Sequence, residues 1–117
     1  MKQLVLLVAV GGILLLMFGR VPAQDVPKED GQKVFMDSKC SSCHSVASIG
    51  LKKKPNQKAP DLSAVGTKRD AKFVMNYLKK KEAINGAKHL IAFKGDDKDL
   101  ALLASWLESM KAEQKNP

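Results

Sequence analysis

The stretch Lys39-Cys40-Ser41-Ser42-Cys43-His44 constrains this chain more than any other part of it. Cys-x-x-Cys-His is the attachment signature of a c-type haem. Two thiols three residues apart lie on one side of a single helical turn, so both can add to the vinyl groups of one porphyrin. His44 then falls under the iron as a proximal axial ligand whose basicity depends on what its other ring nitrogen donates to. Three other readings compete. A thioredoxin-like dithiol would follow a strand in an alternating strand and helix pattern, and no such strand precedes Cys40. Structural zinc would have to recruit Cys40, Cys43, His44 and the distant His89, a spacing that fits no common finger. A disulfide would have to join Cys40 to Cys43, the only two cysteines.

The amino terminus fits export. Met1-Lys2-Gln3 is followed by an apolar run from Leu4 to Phe18 and by Gly19-Arg20-Val21-Pro22-Ala23. Residues 1–23 read as a secretory signal peptide cleaved after Ala23. As an uncleaved anchor the run would fall short, because 15 residues at ~1.5 Å each reach about 22 Å of a ~30 Å hydrocarbon core. Export to a bacterial periplasm agrees with the cysteines, since an unattached pair there would oxidise. Removal of Lys2 and Arg20 with the signal lowers the net charge from +8 to +6 and leaves 94 of 117 residues. That is one small domain with little core of its own, to which a buried porphyrin would add apolar area.

Hydrophobic periodicity predicts an all-α chain without strands or repeats. Residues 24–29 form a loose leader, 30–112 the folded domain and 113–117 a frayed tail. The first helix runs over 30–39 with Asp30 as its cap, and Gly31, Val34, Phe35 and Ser38 share a face. Residues 51–58 are a basic surface loop interrupted by Pro55, and the chain reverses at Gly66. A second helix covers 70–81, capped by Asp70, with Phe73, Val74, Tyr77 and Leu78 on one face and Lys79-Lys80-Lys81 at its carboxyl end. Residues 83–95 are irregular and fold over something apolar. The last helix begins at Asp96 or Asp97 and shows Leu100, Leu103, Leu107 and Met110 on one face beside Trp106.

These features resemble class I monohaem cytochromes c over nearly all of the chain beyond the signal. The residues that carry the likeness are Gly31 with Phe35, Cys40 to His44, Ala59-Pro60-Asp61-Leu62, and Leu103-Ala104-Ser105-Trp106-Leu107. The resemblance implies first and last helices that cross at Gly31 around a covalent haem, with Phe35 and Trp106 packed beside the crossing. It also implies a carbonyl of Pro60 that accepts the proximal imidazole proton of His44; a plain turn is the other reading of Pro60. The chain departs from the family on the far side of the iron. Three residues before Phe93, where the family's distal methionine is expected, stands Leu90, which cannot ligate. The neighbouring His89 is the expected sixth ligand, giving a bis-histidine haem of lowish potential. The other readings are a loop histidine with no metal, a five-coordinate iron roofed by Leu90 that binds a small gas, and ligation by Met75 or Lys88. Met75, like Met36 and Met110, fits a helical apolar face or its border better than a ligand position.

The function implied is exported single-electron transfer, with gas sensing and a haem subunit of a larger dehydrogenase as alternatives. The chain itself would then perform no bond chemistry. Lys52, Lys53, Lys54, Lys58, Lys68, Arg69, Lys72, Lys79, Lys80, Lys81 and Lys88 fall between the attachment site and the distal loop. They predict either an acidic redox protein as partner or an ordinary solvated surface. Nucleic acid is disfavoured, because the basic runs carry no interleaved aromatics. A membrane is expected only through an uncleaved signal, and the state expected is a monomer or a small subunit.

Overall fold

A computed structural model describes residues 28–112; the signal peptide, most of the 24–29 leader and the 113–117 tail lie outside the described residues. Three α-helices, α1 (Lys28–Asp37), α2 (Ala71–Leu78) and α3 (Asp97–Ser109), are joined by loops that contain short 3-10 turns. Two isolated antiparallel bridges, Val46 to Leu51 and Ile84 to Ala87, are the β-type pairings among the described residues.

Helix α1 starts earlier than its sequence predicts. Glu29 and Asp30 sit in its first turn, where acidic side chains complement the positive end of the helix dipole, so Asp30 lies inside the helix and is not its cap. The helix also stops earlier, at Asp37, because Lys39 takes a left-handed conformation (φ 59°) and turns the chain into the next element. The other two starts follow the sequence. The Asp70 carboxylate accepts the Phe73 amide at 2.8 Å, and the Asp96 carboxylate accepts the Asp99 amide at 2.8 Å, each satisfying an amide the first turn leaves without a partner.

Helix α3 is the wall on which the other two pack. Its Leu100, Leu103, Ala104, Trp106 and Leu107 are buried together with Phe35 from α1, Val74 from α2 and Val46. A Cβ at Gly31 would collide with Trp106 Cβ and lie 2.5 Å from the Leu102 carbonyl oxygen, so only glycine allows α1 and α3 to cross this closely. Beside the crossing, the Phe35 and Trp106 rings stand 5.2 Å apart and tilted by 57°, a geometry aromatic pairs prefer.

Gly66 has a different reason to be glycine from the chain reversal that its sequence suggests. Its amide donates to the Met110 carbonyl at 2.8 Å, and a Cβ there would strike the Glu108 carbonyl at the end of α3. Lys111 Nζ returns the bond to the Gly66 carbonyl at 2.6 Å, and the Ala112 amide donates to Thr67 Oγ1 at 2.7 Å. Met110 itself is half-buried and lies just past the helix in extended backbone, not on the helical face.

Candidate haem site

Lys39 brings Cys40 into a 3-10 turn, Cys40–Ser42. The Cys40 carbonyl accepts the amides of Cys43 (3.2 Å) and His44 (2.9 Å), which gathers both thiols and the imidazole into one turn. Lys54 Nζ donates to the Ser41 carbonyl at 2.8 Å and so occupies an acceptor at the end of that turn. Immediately beyond His44, Ser45 and Val46 are buried, which anchors the motif in the core. Cys40 and Cys43 are separate thiols. Burial pushes the Cys40 thiol up, opposite to the lowering that a nucleophilic dithiol site needs.

The turn forms one side of a cleft of about 1150 Å³, above the ~300–1,000 Å³ usual for small-molecule sites. Apolar side chains from all three helices and the loops between them line it, among them Phe35, Leu62, Phe73, Leu103 and Leu107, and Cys40, Cys43 and His44 face it together with His89. Met75 and Lys88 are not among its lining residues; Met75 packs half-buried against the core instead. Leu90 does line the cleft and is 86% exposed. Among the described residues no group of three or more His, Cys, Asp or Glu is arranged to hold a metal ion.

The two histidines are held alike. His44 Nδ1 lies 2.8 Å from the Pro60 carbonyl oxygen, and His89 Nδ1 lies 2.6 Å from that of Ile91. A carbonyl can only accept, so in both rings Nδ1 carries the proton that is donated, and Nε2 takes no part in that bond. Burial lowers the His44 pKa, the Pro60 carbonyl opposes that, and His89 adds a small further lowering. The neutral ring is therefore favoured. The ring centres are 6.0 Å apart and their planes differ by 11°. Two imidazoles that share one metal through their outer nitrogens, at ~2.0–2.1 Å each, have ring centres roughly 6 Å apart. Cleft size, thiol pair and imidazole spacing all fit a covalently held haem.

Sequence patterns left three parts of this site unseen. Tyr77, expected only as an apolar face residue, stands edge-on to His89 with ring centres 5.4 Å apart and stacks on Phe73. The segment before His89 is more ordered than irregular: Ile84 and Ala87 exchange both backbone bonds around Asn85 and Gly86 (φ 51° and 81°). That is a two-residue hairpin turn of the kind Asn-Gly favours, and the dipeptide was the signal available for it. Finally, Asp61 accepts from Ser45 Oγ (2.7 Å), Ala47 N (3.0 Å) and Ser63 N (2.9 Å).

Hydrogen bonds from Ser63 first and then Ser45 hold the Asp61 carboxyl far below the usual carboxylate range. A depressed folded pKa stabilises the fold above the unfolded value of ~3.9 and ceases to do so as pH falls through the folded one. Thermal melting of Asp61→Asn against the parent should therefore show a gap near neutrality that narrows below pH ~4. A constant gap down to pH ~2 would contradict this.

An all-helical domain that brings a Cys-x-x-Cys-His turn and a second histidine to one apolar cleft defines a c-type haem protein. The family model described as Cytochrome c matches residues 28–111, and the chain belongs to that family; its cofactor is covalent haem c and its chemistry is haem-based electron transfer. No curated protein matches the chain, and no solved structure does.

Proposed function

We propose that this chain is an exported single-electron carrier whose one haem c is bound through Cys40 and Cys43 and ligated axially by His44 and His89. The observation that carries the reading is the pair of imidazoles, nearly parallel and with ring centres 6.0 Å apart, each with Nδ1 on a backbone carbonyl. The haem supplies a one-electron couple. The chain's residues exclude water from it, hold the two nitrogens and set the dielectric. Both Nδ1–H bonds make the rings better donors, and imidazole in place of a thioether lowers the potential. The cationic side chains of Lys54, Lys58, Arg69 and Lys94 also line the cleft, where they can balance the porphyrin's carboxylates. Arg69 is stacked over Phe73 with its guanidinium carbon 4.4 Å from the ring centre.

The partner proposed is an acidic redox protein, met at the lysine-rich rim around this cleft. Its association would slow as salt rises, because exposed charges are screened beyond ~8 Å at physiological ionic strength. Export through residues 1–23 places the encounter outside the cytoplasm, in the periplasm of a bacterium. The carrier works as a free monomer or as a small subunit of a dehydrogenase.

Absorption spectra of both oxidation states, for the parent and for His89→Ala and Met75→Ala, test the ligand set. The expected result is a six-coordinate low-spin parent that ignores carbon monoxide when reduced. His89→Ala should become five-coordinate and bind the gas, while Met75→Ala keeps the parent spectrum. Loss of the low-spin spectrum in Met75→Ala alone would sink the bis-histidine assignment, and gas binding by the parent would favour a sensor.

A further inference from the structure

The His44 to Pro60 bond spans two segments of chain, and the peptide that precedes the proline has no N–H to anchor it. Neighbouring residues hold that carbonyl on both sides. Before it, the Ala59 carbonyl accepts Gln57 Nε2 at 2.9 Å. After it, the Asp61 carboxylate takes the Ser45 hydroxyl and the Ala47 amide, and the Leu62 amide donates to the Ser45 carbonyl at 2.9 Å. Ser45, the residue next to His44, is 2% exposed. Its Oγ donates to Asp61 and accepts Gln57 Nε2 at 2.9 Å. Gln57 Oε1 in turn takes the Lys54 amide at 3.2 Å, and Lys54 reaches back to the motif's own turn. The result is a closed clamp from the Cys40–His44 turn, through Lys54, Gln57 and Ser45, to the two residues that flank Pro60.

We infer that Ser45, Gln57 and Asp61 are positioning residues that fix the Pro60 carbonyl against His44 Nδ1 and thereby keep the haem potential low. The inference rests on the reading of His44 as an axial ligand. A firmly held Nδ1–H···O=C bond draws the ring toward imidazolate character and favours the ferric state. Loosening the carbonyl weakens that donation and raises the potential. A purely structural clamp would change stability and leave the potential alone.

Ser45→Ala and Gln57→Met are both neutral changes, so a shift in potential cannot come from an altered charge. Gln57 is half-buried and its methionine variant keeps the chain length, which guards against a failure of Ser45→Ala to fold. Leu100→Ala, a truncation in α3 away from the cleft, is the stability control. In purified haem-loaded protein, both clamp variants should favour the ferrous state by up to about tenfold, ~59 mV for a one-electron couple. Magnetic resonance of the reduced protein should show faster solvent exchange of the His44 Nδ1 proton. Ser45→Thr, which keeps the hydroxyl, should restore both values, and Leu100→Ala should lower Tm without moving either. Attached haem with potential and exchange unchanged in both clamp variants, or a shift of the same size in Leu100→Ala, overturns the inference alone. A parent chain without attached haem overturns the ligand reading and this inference with it.

Discussion

Expressed alongside haem attachment machinery, the double variant Cys40→Ala with Cys43→Ala should show only the bare polypeptide mass, where the parent shows the chain plus one haem. The loss should be complete, because these two are the chain's only cysteines and both face the cleft from one turn. His44 remains in that variant, with its Nδ1 still committed to Pro60, so the cleft still offers a nitrogen to an unattached porphyrin. Acid extraction separates the two modes of binding: it removes haem held by ligation and leaves haem held by thioether bonds. Single variants should keep one thioether and extract only in part. Retention of haem mass in the double variant would show that attachment does not run through Cys40 and Cys43.

Gly31→Val should lower stability by about 3 kcal/mol or more, the upper part of the range for over-packed sites. That corresponds to a fall in Tm of roughly 12–24 °C for a domain of this size. The added Cβ meets Trp106 Cβ and the Leu102 carbonyl, atoms fixed to the α3 backbone, so no rotamer change relieves the clash. The helices must move apart, and Phe35 and Trp106, buried to 1% and 4% exposure, lose their contact. Phe35 also lines the cleft, so thermal melting and the haem spectrum should deteriorate together. A Gly31→Val protein that melts with the parent would mean that α1 and α3 do not cross at this glycine.

Much of the fold was legible because it rests on local rules. The apolar faces of 71–78 and 97–109 follow the helical period, although the first of these helices stops at Leu78, short of the expected Lys81, where Lys80 turns left-handed (φ 59°), and Asp70 and Asp96 are capping residues directly ahead of their helices. The boundaries of α1 were less legible. Left-handed backbone at Lys39 satisfies the turn that follows, and nothing in the identity of a lysine announces it. The same applies to Gly66, whose neighbour in space is the far end of α3.

The candidate site divides along similar lines. Its attachment signature was readable in five consecutive residues, Cys40 to His44, because such a signature needs only a fixed spacing within one turn. Pro60 was suggested by resemblance, and its carbonyl is found 2.8 Å from His44 Nδ1. Sequence favoured His89 over Met75 and Lys88 as the partner of His44, because Met75 fits a helical apolar face, but no local pattern could place any of them over the cleft. The position of His89 depends on how an Asn-Gly turn aims one loop over a cleft whose other walls come from residues as distant as Phe35.

By itself, then, the sequence determined the chemistry of attachment and the helices that surround it, since both depend on residue identity at short separation. Only the tertiary structure decided that His89 faces His44 at 6.0 Å while Met75 packs elsewhere, and that Ser45, Gln57 and Asp61 are bonded to one another and to Ala59 around Pro60. Those pairings join groups distant in sequence, and their energies come from packing and hydrogen-bond geometry that exist only once the chain has closed on itself.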